Sequence, residues 1–128
     1  MAGNSEFITF VADQLGALGH IITRRMFSGA GVYCDGVIFA LILRDALYFK
    51  VDDGNRAAYQ AEGLQPFSYE ARGRTVEIGT YWRVPERLFD DPDEMLDWAR
   101  AAVAAGQRAA AKKPASKRGA ARRRKRPA

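Results

Sequence analysis

The chain has almost none of the two residue types from which small metal and nucleophilic sites are most often built. It holds one cysteine, Cys34, and one histidine, His20, in 128 residues. A lone cysteine excludes an internal disulfide and suits a reducing, cytoplasmic compartment. One His and one Cys cannot complete a zinc site. The acidic groups Asp52-Asp53 and Asp90-Asp91-Asp93-Glu94 fall where helices begin, so they read as capping residues rather than the alternating ligands of a calcium loop. No apolar run approaches the ~18 residues of a bilayer span, and the opening MAGNSEF lacks the basic-then-apolar profile of a signal peptide. The expectation is a protein with no cofactor, no metal and no membrane association.

Catalytic groups are equally scarce. Cys34 as a nucleophile would need a base beside it, normally a histidine. Within Val32-Tyr33-Cys34 it reads instead as a small buried apolar residue. His20 reads as the end of the first helix, where a positive charge suits the dipole. With no acid, base or nucleophile assembled, a non-enzyme is expected.

Residues 107–128, QRAAAKKPASKRGAARRRKRPA, lack acids, aromatics and any apolar side chain larger than alanine. Such a segment cannot bury enough surface to fold, so a disordered tail is expected. The formal charge of +5 hides a division. Residues 1–106 carry all 15 acids and 10 of the 20 Lys+Arg, a formal −5, whereas the tail carries the other 10 basic residues, a formal +10. Lys112, Lys113, Lys117, Arg118, Arg122, Arg123, Arg124, Lys125 and Arg126 are the residues expected to bind nucleic acid. Clustered lysines and arginines release counterions from phosphates and give affinity without sequence choice. Without aromatics the tail cannot stack bases, and it should not distinguish DNA from RNA.

The body has its own periodicities. Ser5 is placed to cap a helix over about 5–18, with Phe7, Ile8, Val11, Leu15 and Leu18 at helical spacing and Gly19 as its stop. Strand patterns follow from Ile21 to Val51, with Asp35-Gly36 suited to a two-residue type I′ turn and Arg44-Asp45 forming another. Val37–Leu43 is apolar throughout, which predicts a central strand covered on both faces or lying along an interface. Asp52, Asp53 and Asn55 are placed to cap a short helix. A second hairpin runs from Pro66 to Trp82 around Arg72-Gly73-Arg74. Asp91-Pro92-Asp93-Glu94 starts a last helix as a capping box; it can run on through Gln107–Lys113, where Pro114 stops it. The order α-β-β-β-α-β-β-α predicts an α+β fold, a single antiparallel sheet with helices packed on it, plus the basic tail.

The stretch RRMFSGAGVYCDG, residues 24–36, holds three glycines but matches neither a P-loop nor a dinucleotide fingerprint, because its glycines lead into a strand and not a helix. Glycines at a strand end mark a bulge or a close backbone approach. Arg24, Arg25, Met26, Phe27, Gly29, Gly31, Asp35 and Gly36, followed by Val37–Leu43, resemble the N-terminal domain of the TfoX/Sxy family of bacterial competence regulators. So do Leu47–Asp52, Pro66–Tyr69, Tyr81–Pro85 and the helix of Trp98. The resemblance spans about residues 5–105; it departs at Ser28, where the family often has glycine. It implies a secretion-chaperone-like α+β fold over residues 1–106, no catalytic residues, and a role in regulating transcription of DNA-uptake genes with a transcription factor as partner. Such proteins usually carry a second, C-terminal domain, and none is expected in these 128 residues. Two readings stand: a regulatory domain whose basic tail holds nucleic acid, or a homodimeric interaction or chaperone-like module whose tail is incidental. For the second, the Val37–Leu43 strand and exposed aromatics near Tyr81-Trp82 are the expected interface.

Overall fold

The computed structural model describes residues 2–26 and 29–113. Helix α1 (Ala2–Gln14) buries Ile8 and Val11. A 3-10 turn (Gly16–Leu18) then carries the chain over, with Leu15 fully buried before it. The helix starts before Ser5, whose hydroxyl accepts from Arg25 Nη2 at 2.8 Å instead of capping it. Four strands follow: β1 (Ile21–Met26), β2 (Gly29–Cys34), β3 (Val37–Leu43) and β4 (Ala46–Lys50). Each strand segment expected between Ile21 and Val51 forms separately, so four strands precede the second helix. Helix α2 (Arg56–Ala61), the hairpin of β5 (Pro66–Ala71) and β6 (Arg74–Arg83), a 3-10 turn (Glu86–Asp90) and α3 (Pro92–Lys113) complete the order.

The strands make one antiparallel sheet ordered β1-β2-β3-β4-β6-β5. Its three two-residue turns carry positive φ: Asp35-Gly36 at 50° and 88°, Arg44-Asp45 at 48° and 60°, Arg72-Gly73 at 51° and 76°. Those angles match the twist of the flanking strands; at Arg44 the hairpin imposes them on a residue that rarely adopts them. Strand β6 pairs with β4 only through Tyr81–Arg83, while β5 follows it from Ala71↔Arg74 to Pro66↔Trp82. The β5–β6 hairpin therefore projects past the end of β4.

All three helices lie on one face. Helix α1 covers β1 and β2, and α3 covers β3 and β4. Val11, Leu15, Met95, Ala99 and Ala102 close on Val32, Ala40, Ile42, Leu47, Phe49 and Trp82 in a single core. The register slips between Val32 and Tyr33, passing from Val32↔Ala40 to Tyr33↔Ile38. That bulge leaves Phe39 unpaired and lets it bury fully beside Ala40. Tyr59 of α2 sits between Trp82 (6.1 Å) and the edge of Trp98 (4.8 Å). Strand β3 is thus interior, but a helix covers only one of its faces.

Two local expectations take a different form. Asn55 does not cap α2 with its side chain; it accepts from the Asp52 amide (2.8 Å) and donates to the Lys50 carbonyl (3.1 Å), bracing the loop. Asp91 does cap α3, accepting from the Glu94 amide at 3.1 Å. Glu94 does not reach back, because Arg87 (2.5 Å) and the Trp98 indole (3.2 Å) hold its carboxylate.

Gly29 has the closest approach in the sheet: a Cβ there would sit 1.9 Å from the Ile42 carbonyl oxygen, whereas at Gly79 nothing lies within 4 Å. Gly29→Ala should cost about 1–3 kcal/mol or more in urea unfolding, because backbone must move. Gly79→Ala should leave stability unchanged or raise it by up to about 1 kcal/mol. Equal effects from the two would show that the Gly29 contact does not set the β2–β3 spacing.

Candidate functional site

The face of the sheet away from the helices is the broadest candidate surface. Alternation along paired strands assigns Arg24, Tyr33, Tyr48, Lys50, Arg83 and Tyr81 to it through the pairs Arg24↔Gly31, Tyr33↔Ile38, Leu41↔Tyr48, Tyr48↔Arg83 and Lys50↔Tyr81. The rings make local ladders. Tyr48 meets the edge of Phe67 at 5.0 Å, and Phe67 stacks with Tyr69 at 6.0 Å. The Arg24 guanidinium lies 5.6 Å over Tyr33, and the Lys50 ammonium 4.9 Å over Tyr81. Burial, with Tyr33 adding, pushes the Tyr81 hydroxyl up to about 12, so it is neutral at physiological pH.

Where the β5–β6 hairpin overhangs the β3–β4 turn, the face opens into a recess of about 640 Å³. Tyr48, Phe67 and Tyr69 supply its rings, Arg44 and Arg83 its cations, and Glu70 also lines it. The Glu70 carboxylate accepts from Thr75 Oγ1 at 2.7 Å. Arg83 keeps a loose 3.7 Å contact with Glu86. Sequence reasoning missed this recess; the available signal was the alternation of ring residues in Tyr48, Phe67 and Tyr69 on strands that become neighbours only through β6.

A smaller recess of about 240 Å³ lies between α2 and α3, beside Tyr59 and Trp98. The Tyr59 hydroxyl is buried with no hydrogen-bond partner among the described residues, and desolvation raises its pKa strongly.

Helix α3 runs on through Gln107–Lys113, so the first seven residues of the segment expected to be disordered are helical; it carries Lys112, which is exposed. Lys117, Arg118, Arg122, Arg123, Arg124, Lys125 and Arg126 lie outside the described residues. Arg108, also on α3, is engaged: its Nε and Nη2 both reach the Asp52 carboxylate at 2.7 Å. Asp52 also accepts from the Gly54 amide at 2.9 Å. The Arg108 hydrogen bonds, first among these causes, hold Asp52 down at about 2 from an ordinary 3.8.

The interface expected near Tyr81-Trp82 needs correction. Both residues are 8% exposed: Trp82 faces the core, its indole donating to the Gly79 carbonyl at 3.0 Å, and Lys50 overlies Tyr81. Cys34 is buried. Desolvation and then Asp35 raise its pKa, opposite to the shift that makes a thiol reactive. His20 uses its backbone, the amide donating to Asp35 Oδ1 (3.2 Å) and the carbonyl accepting from the Asp35 amide (2.9 Å). No described group of three or more His, Cys, Asp or Glu could hold a metal ion, and no described helix is long and apolar enough to cross a membrane.

With these elements in place, residues 13–106 match the family model described as the TfoX N-terminal domain. The chain belongs to that family. A comparison with curated proteins gives no match. In this TfoX N-terminal domain the signature stretch is structural at most positions. Arg25 ties β1 to α1 through Ser5, and Asp35-Gly36 makes the β2–β3 turn. Gly29 admits the Ile42 carbonyl, and a Cβ on Gly31 would meet Met26 Cε at 2.7 Å. Phe27 lies outside the described residues. Arg24, over Tyr33, and Met26, whose Cε lies beside Gly31, project onto the open face. The family match ends at 106, two residues before Arg108, so the Asp52–Arg108 clasp uses a residue beyond it.

Because Asp52 has a lowered folded pKa, its stabilisation is present above the unfolded value and is lost as pH falls through the folded one. The melting temperature should decline from about pH 4 towards pH 2 partly through this group. Asp52→Asn should lower it at pH 7 and flatten that acid limb, as followed by thermal melts across pH. An unchanged acid limb in the variant would remove Asp52 from the account.

Proposed function

We propose that the chain is a non-enzymatic regulatory module in which the folded body engages a protein partner, a transcription factor among the candidates, while the basic segment holds nucleic acid without reading its sequence. The observation that carries this is the charge division, a formal −5 on residues 1–106 and +10 on residues 107–128, in a member of the TfoX N-terminal domain family. The body's net negative charge disfavours a duplex overall, and the basic segment is drawn to its phosphates. Arg108 is spent on Asp52, so the other nine basic residues of the segment are the phosphate binders.

A second reading, a homodimer or other protein-interaction module, draws support from one patch. Phe10 of α1 is 45% exposed and packs beside Phe7 (6.4 Å) and Phe89 (6.1 Å). Phe10→Ser should then shift the sedimentation of the full chain from dimer to monomer. A wild-type chain that is monomeric at high micromolar concentration sinks this reading.

For the leading one, Arg122, Arg123, Arg124, Lys125 and Arg126 are replaced by Gln in the full chain. The log–log salt slope of duplex binding should become shallower by about 4.5, at ~0.9 per phosphate neutralised. A slope that does not move places the duplex contact on the body and ends the division of labour.

A further inference from the structure

The open face of the sheet differs in charge from the rest of the body. Of the strand residues that pairing and alternation put on it, none is acidic, although the body holds all 15 acids. The acids of the β5–β6 hairpin, Glu70 and Glu77, fall on the opposite parity to Tyr69↔Val76 and Phe67↔Ile78. The face instead carries Arg24, Arg74, Arg83 and Lys50 interleaved with rings, and Arg44 stands at the lip of its recess. Tyr69, at 46% exposed, is the outermost ring of the Tyr48–Phe67–Tyr69 ladder.

Exposed aromatic faces among cations, with the Glu70 carboxylate at the recess already accepting from Thr75 Oγ1, complement an unpaired nucleic-acid strand: rings stack on bases and cations meet the phosphates. A rigid duplex hides its base faces and gains nothing from the rings. A second copy of this face would set Arg24, Arg74 and Arg83 against the same three arginines, which like-charge repulsion opposes. An acidic protein segment would satisfy the charges but leave the ring ladder unused. Apart from Ser68 at the recess, the face strands contribute no Ser, Thr, Asn, Gln or His side chain in these positions, so they carry little chemistry for reading base edges or a 2′-hydroxyl.

We propose that the helix-free sheet face docks single-stranded nucleic acid, with a base stacked on Tyr69 in the recess, others on Tyr33, and Arg24, Arg74 and Arg83 along the phosphates. This site is separate from the basic segment and does not depend on it. The test therefore uses the full chain with Lys112, Lys113, Lys117, Arg118 and Arg122–Arg126 all changed to Gln, so that the segment contributes little. A fluorescent oligothymidylate of about 12 nucleotides is titrated against this chain, and a duplex of equal length is titrated beside it.

The oligothymidylate should bind more tightly than the duplex. Tyr69→Ala should weaken it about ten-fold, and Tyr69→Phe, which keeps the ring, should restore it with the melting temperature unchanged. Equal affinity for duplex and single strand, or an indifferent Tyr69→Ala, overturns the proposal. Competition by polyglutamate as effective as that by unlabelled oligothymidylate also overturns it, since charge alone would then explain the surface. Failure of the basic segment to bind duplex would count against the regulatory reading above and leave this result unaffected.

Discussion

Strand β3 occupies the third position of six, and the way α3 lies on it constrains most of the molecule. A Cβ at Gly106 would stand 2.6 Å from the Ile38 carbonyl oxygen and 3.5 Å from Phe39 Cβ, so helix backbone meets strand backbone there. Ala99, Ala102 and Ala105, all fully buried, line the same helix. Their small side chains allow the close approach, and the dense packing that results is what destabilises any enlarged residue there. The bulge at Phe39 answers the same contact from the sheet, turning two consecutive side chains towards the helix. Much of the alanine in the body is thus a spacing device and not filler.

That one-sided closure decides what the other face becomes. With α1, α2 and α3 all on one side, the remaining face keeps its own side chains half-exposed. An open antiparallel sheet ordinarily presents polar residues to water. Here it presents rings, aliphatics and cations, with each cation of the Arg24–Tyr33 and Lys50–Tyr81 pairs laid over a ring. Arginine and lysine cover apolar surface with their stems while the charge stays wet, so the face remains compatible with solvent without acids. The Glu70 carboxylate at its recess is held by Thr75, and other carboxylates pair away from this face, as in the Glu62–Arg87–Glu94 cluster that joins α2 to α3.

Most of the fold was legible because its punctuation is chemical. Asp35-Gly36, Arg72-Gly73 and Asp91-Pro92 mark their turns and helix start by residue type, and the apolar Val37–Leu43 run marks an interior strand. The start of α1 was misplaced because Ser5 is a good cap in isolation, whereas Arg25 on β1 claims its hydroxyl. The capping of α2 was misread for the same reason: Asn55 and Asp52 spend their side chains on the loop and on Arg108. Local propensity sees neighbours in sequence, and these partners are tertiary; Arg108 and Asp52 are 56 residues apart. The recess was hidden at a further remove, since it exists only because β6 lies between β4 and β5 and joins them in one sheet.

The Asp52–Arg108 clasp also bears on how the basic residues divide their work. A guanidinium held in a bidentate carboxylate pair has its donors directed and its charge matched, so Arg108 closes the body and is not open to a phosphate. Lys112 lies one turn further along α3 and is exposed. The clasp therefore falls at the point where α3 passes from the acidic body to the basic segment. Arg24, Lys50, Arg74 and Arg83, before that point, lie on the open sheet face among rings and are placed by pairing register. Those after it come with alanine, proline and glycine and without a ring. Rings and cations in fixed register suit a ligand with exposed base faces, and cations alone suit any line of phosphates; the two surfaces differ in chemistry before any difference in affinity arises.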